Sequence, residues 1–117
     1  MDKVTYEEFK KMDIRVGRVV SVESIEGADK LLKFQIDFGD KDTEGNGVFR
    51  QIVSGLKEFY PDYDKLVGKQ LLYILNLEPR TIKGVESQGM LLAVDGKEGN
   101  PVFLVPEVEV EPGSKVR

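Results

Sequence analysis

Five cations stand at positions from which they could share one anion: Lys30, Lys33, Arg50, Arg80 and Lys83. Ammonium and guanidinium groups hold phosphate oxygens by charge-assisted hydrogen bonds. Gathered on one face, they would bind a polyanion whatever the charge elsewhere. Taken singly, each reads equally well as a solvated charge on the polar side of a strand. The chain has no His and no Cys. That removes Ser-His-Asp and Cys nucleophiles, His/Cys metal sites and disulfides. The carboxylates show no recognisable catalytic spacing, and Asp37-Phe38-Gly39 stands without the other kinase motifs. The expected chemistry is binding, with no catalytic activity, no metal and no cofactor.

At 117 residues the expectation is one domain, 1–117, with residues 101–117 as a C-terminal extension. Hydrophobic residues make up 40%, enough for a core without staples. The net charge of −4 argues against a nucleic-acid partner, and no basic block offsets it. Composition alone favours a protein or small-molecule partner; RNA would need a local stripe of Lys and Arg. The start is charged, with no apolar leader behind it. The longest apolar stretch, around Leu71–Leu77, has a strand's length, against about 20 residues for a membrane helix. A soluble, cytoplasmic protein with no membrane partner is expected.

The elements that must position the cations follow from periodicity. Thr5 and Glu8 have capping-box spacing and open a short helix, with Phe9 and Met12 as its candidate buried face. Apolar residues at 14, 16, 20 and 22 predict a strand over 14–22. A turn at 26–30 leads to a second strand, 31–38, with Leu32, Phe34, Ile36 and Phe38 inward. Residues 39–47 read as a polar loop and 48–53 as a third strand, with Phe49 at a core-type position. A helical turn broken by Pro61 precedes a fourth strand over 71–77. Residues 76–88 read as a long loop, 89–94 as the fifth strand, and the tail could add one or two more. Five strands with a helical turn between the third and fourth is the order of an all-β OB-fold, a five-stranded barrel. Small sandwiches and SH3-like barrels share this periodicity. On the OB-fold order, all five cations fall on the usual ligand face.

At these residues the chain resembles a known family, the tRNA-binding domain. That domain is shared by the C-terminal domain or β subunit of methionyl-tRNA synthetase, a stand-alone tRNA-binding protein, the chaperone CsaA and the endothelial monocyte-activating polypeptide. The resemblance runs through Phe9 to Gly17, Gly27-Ala28-Asp29-Lys30-Leu31-Leu32, Ile52 to Leu56 and Val67-Gly68-Lys69. Its most specific pieces are Asn76-Leu77-Glu78-Pro79-Arg80 and Ser87-Gln88-Gly89-Met90. It implies structure-dependent, largely sequence-independent tRNA binding, as a stand-alone module or an accessory to a synthetase. It also implies a homodimer, with the tail as the pairing segment. Lys30, Lys33, Asn76, Arg80, Ser87 and Met90 are the matched site positions; Arg50 and Lys83 come from strand and loop position. Ser87 would bond a phosphate or base edge, and Met90 would lie against a base or ribose. The alternative is a CsaA-like chaperone holding unfolded polypeptide, with apolar Ile82, Val85 and Met90 at the same place.

Overall fold

The computed structural model describes residues 1–117. Nine strands carry the fold: β1 (Ile14–Ile25), β2 (Ala28–Lys41), β3 (Gly47–Ser54), β4 (Gln70–Ile74), β5 (Arg80–Ile82), β6 (Val85–Ser87), β7 (Met90–Leu91), β8 (Ala93–Asp95) and β9 (Pro101–Phe103). A short helix α1 (Tyr6–Lys10) precedes β1, and a 3-10 turn, Tyr63–Leu66, lies between β3 and β4. The main sheet is antiparallel in the order β3-β2-β1-β4-β7, and β5–β6 and β8–β9 form two small hairpins. The chain is all-β, as expected. No helix is long and apolar enough to cross a membrane.

The inward side chains follow the period of two in β2, where Leu32, Phe34, Ile36 and Phe38 are all buried. They meet Ile52 of β3, Leu71 and Tyr73 of β4, and Leu56 and Leu66 from the connection between those strands. Each such side chain contributes about 1.5–3 kcal/mol by leaving water, so this layer dominates stability. In β1 the alternation breaks. A bulge between Val19 and Ser21 puts Val19 in the core and leaves Val20 exposed, against the sequence expectation. Phe49 is likewise corrected: it pairs with Asp37 on the outer side of the sheet and is exposed. Tyr73 packs edge-on against Phe38 at 5.3 Å, its hydroxyl has no partner, and burial pushes its ionisation upward.

The capping box of α1 forms as the spacing predicts, with the Thr5 hydroxyl accepting from the Glu8 amide at 3.1 Å. The helix buries no residue, and Met12 is exposed. Its attachment is at its end, where the Leu75 amide donates to the Asp13 carbonyl at 2.8 Å.

Residues 76–88 are not the plain loop the sequence suggests, because they contain the β5–β6 hairpin. The expected fifth strand is split into β7 and β8. Strands of two or three residues are too short to show alternation, which explains both differences. The tail past β9 runs back along β1. Val16 exchanges backbone hydrogen bonds with Gly113 (2.7 Å) and Ser114 (2.9 Å), and the Val116 amide reaches the Ile14 carbonyl at 2.8 Å. The buried Gln70 amide group grips Val110 through both its oxygen and its nitrogen. Gly113 is required here: its φ is +92°, and a Cβ would collide with the Phe38 carbonyl.

Candidate nucleic-acid interface

The β5–β6 hairpin projects two of the cations. Its ladder pairs Arg80 with Ser87, Thr81 with Glu86 and Ile82 with Val85. The two-residue turn is Lys83-Gly84, with φ of 52° and 79°. Two left-handed residues match the right-handed twist of the flanking strands. Lys83 therefore sits exposed at the tip, and Arg80 exposed at the foot.

Facing the tip is the turn from β1 into β2. Gly27, Ala28, Asp29, Lys30 and Leu31 line one bank of an open cleft of about 380 Å³, and Ile82 and Lys83 line the other. Lys30 and Lys83 thus stand on opposite banks, with apolar groups on each. Lys33 follows on the outer side of β2. Carboxylates attend two of these cations: Glu58 lies 3.9 Å from Lys30 and Glu23 lies 3.6 Å from Lys33. Such long, solvent-screened pairs are worth about 0–1 kcal/mol, so a phosphate can displace them.

The other sequence candidates are placed differently. Arg50 pairs in register with Ile36, whereas Lys33 pairs with Val53, so Arg50 lies on the opposite face of the sheet. Its guanidinium sits 5.9 Å from the centre of the Phe38 ring. Strand parity separates it from Lys33, contrary to the expectation of a single face. The Asn76 side chain accepts from the Asp13 amide at 2.8 Å and donates to the Lys11 carbonyl, so it ties α1 to the end of β4. Ser87 is buried: its hydroxyl accepts from the Val53 amide at 3.0 Å and donates to the Gly89 carbonyl at 2.9 Å. Met90, opposite Ile74 on β7, is exposed.

Sequence reasoning missed the glutamines beneath the hairpin. The Gln51 amide donates to the Gln88 side-chain oxygen at 3.0 Å, and the Gln88 amide donates to the Gln51 carbonyl at 2.8 Å. The Gln51 side chain donates to the Glu86 carbonyl at 2.9 Å and accepts from Gln35 at 3.1 Å. Gln88 was visible inside the Ser87–Met90 motif; Gln51 had no signal beyond its alternation with Phe49 and Val53.

A family model described as "Putative tRNA binding domain" matches residues 14–115. Among curated proteins, a methionine–tRNA ligase of Methanococcoides burtonii is 44% identical over 113 residues, which are 97% of this chain and 16% of that protein. The corresponding ligase of Pyrococcus horikoshii is 42% identical over 117 residues, 100% of this chain and 15% of its own. The chain therefore spans only about a sixth of the curated relatives it matches. Among solved structures, a MetRS-related protein from Pyrococcus horikoshii superposes with a TM-score of 0.86 at 33% identity, covering 100% of both chains. The chaperone CsaA of Bacillus anthracis gives 0.80 at 26% identity, covering 99% of this chain and 100% of its own. With the family model spanning most of its length, this chain belongs to the tRNA-binding domain family.

Proposed function

We propose that this domain binds tRNA by its folded shape, through phosphate contacts that read little sequence. The observation that carries the reading is the cleft with Lys30 and Lys83 on opposite banks and Arg80 at the foot of the same hairpin. Phosphate contacts fix position and orientation without sequence information. Apolar Leu31 and Ile82 beside the cations suit an unstacked base between two phosphates. On this reading the five-stranded sheet is an OB-fold barrel, with β3 meeting the Ser87–Gly89 segment where a fifth strand would close it. Its partners are tRNA, a second copy of the chain and an aminoacyl-tRNA synthetase, whose local tRNA concentration it would raise. Its place of work would be the cytoplasm.

The experiment is a salt series with several tRNAs on the wild type and the Arg80→Ala, Lys83→Ala pair. The pair should weaken all tRNAs alike and flatten the salt slope by up to about two units. A loss confined to one tRNA would mean base readout and overturn the reading. A second reading, capture of unfolded polypeptide, is favoured by exposed Met90 and part-exposed Ile82 and Val85 near the cations, and by likeness to CsaA. Binding of an unfolded polypeptide that persists at high salt, with no tRNA binding at low salt, would select it.

A further inference from the structure

We infer that Gln51 is a positioning residue for tRNA binding, acting by clasping the β5–β6 hairpin so that Arg80 and Lys83 are held at a fixed spacing from Lys30. The inference rests on the proposed tRNA reading of that cleft. A two-stranded hairpin is marginal in water by itself, and this one has three residues per strand. Its ties to the body come from the β6 side. Gln51 supplies four of them or their supports: its amide, its carbonyl and both ends of its side chain are each in a hydrogen bond. Ser87 adds the bond to the Val53 amide. β5, which carries Arg80, has backbone pairing with β6 alone.

The direction of the Gln51 side chain matters. Its nitrogen donates to the carbonyl of Glu86, whose residue pairs with Thr81 in β5. Its oxygen is itself held by Gln35, so the amide cannot rotate freely. The clasp therefore transmits the rigidity of β2 and β3 to the base of the hairpin. Without it the hairpin keeps its turn and ladder but gains freedom to swing. Cations that must first be immobilised bind phosphate less well, because the lost freedom opposes association.

The test is a double-mutant cycle on tRNA affinity and its salt slope, joining Gln51→Met to the Arg80→Ala, Lys83→Ala pair. Methionine keeps the length of glutamine and removes its two side-chain hydrogen bonds, leaving the backbone pair with Gln88 in place. In the wild-type background, Gln51→Met should cost about five-fold in affinity, the worth of one net hydrogen bond, and move the salt slope toward that of the pair. In the background of the pair it should cost under about two-fold, since there is no longer a charge to position. Equal losses in both backgrounds, or an unchanged salt slope, would overturn the inference and leave the tRNA reading standing. No loss from the Arg80→Ala, Lys83→Ala pair itself would sink both. A melting curve accompanies each variant; should Gln51→Met fail to fold, Gln88→Met, which removes the oxygen accepting from the Gln51 amide, runs the same cycle with the same criteria.

Discussion

The Ser87 hydroxyl accepts from the Val53 amide and donates its only proton to the Gly89 carbonyl, so it has nothing left to donate to a ligand. Met90 stands three residues away with its side chain in solvent. The sequence offers the two as a pair, because both belong to one motif and both could touch a nucleotide. Their directions were not legible, since they depend on β6 and β7, strands too short to announce themselves. The two should now separate. Ser87→Ala leaves a buried amide without its acceptor and should lower stability by about 1–3 kcal/mol. Met90→Ala should leave the melting temperature nearly unchanged. If Met90 lies against a base, its loss should weaken tRNA binding by up to about ten-fold. Thermal melts and tRNA titrations of the two single variants check this. A Met90→Ala protein that melts early, with unchanged binding by its folded fraction, would make Met90 a packing residue.

The β5–β6 hairpin carries a conflict between its turn and its charge. Lys83 holds a left-handed backbone, φ 52°, that side chains other than Gly, Asn and Asp adopt at a cost of about 1–2 kcal/mol. Asn followed by Gly is the favoured pair for a two-residue turn of this hand, and Gly84 already fills the second position. Lys83→Asn should therefore raise stability while removing a cation from the cleft. The expected result is a higher melting temperature together with weaker tRNA binding and a salt slope about one unit shallower. Unchanged or tighter binding would show that Lys83 is a surface charge with no part in the site. The elements that were legible are those long enough to repeat their pattern. β2 shows four inward residues in alternation, and β4 is apolar on both faces. The bulge at Val19 was hidden because Val19 and Val20 are both apolar, and period-two counting cannot say which one turns inward. Arg50 was misplaced for a related reason: a run of strand residues shows alternation, but which cation shares a face with Lys33 depends on the register between β2 and β3.

Over the whole molecule, the tail answers two demands at once. Part of it completes this chain's own sheet, since residues 113–116 bond to β1 and Gln70 holds Val110. Val110 and Val116 are accordingly half-buried. Other valines are left facing water. Val94 and Val102 oppose each other across β8 and β9, and both are exposed, as are Val105 and Val108 beyond them. The sequence alone does not divide the tail's valines, because the division depends on which strand the tail lies beside. Clustered apolar residues left in solvent after the core is filled favour self-association, and a two-fold axis would let one patch cover its twin. A dimer would also set two clefts on one particle, so that one extended polyanion could engage both and gain avidity without any new contact. Light scattering at micromolar concentration should then report about twice 13.2 kDa. Val102→Glu with Val105→Glu should return the mass to that of a single chain, because each glutamate would have to be buried unpaired at the interface. The same variant should keep its melting temperature, as neither valine lies in the core, and should bind tRNA more weakly through loss of the second cleft. A wild-type protein that scatters as a monomer at this concentration would overturn the pairing and leave each cleft to bind alone.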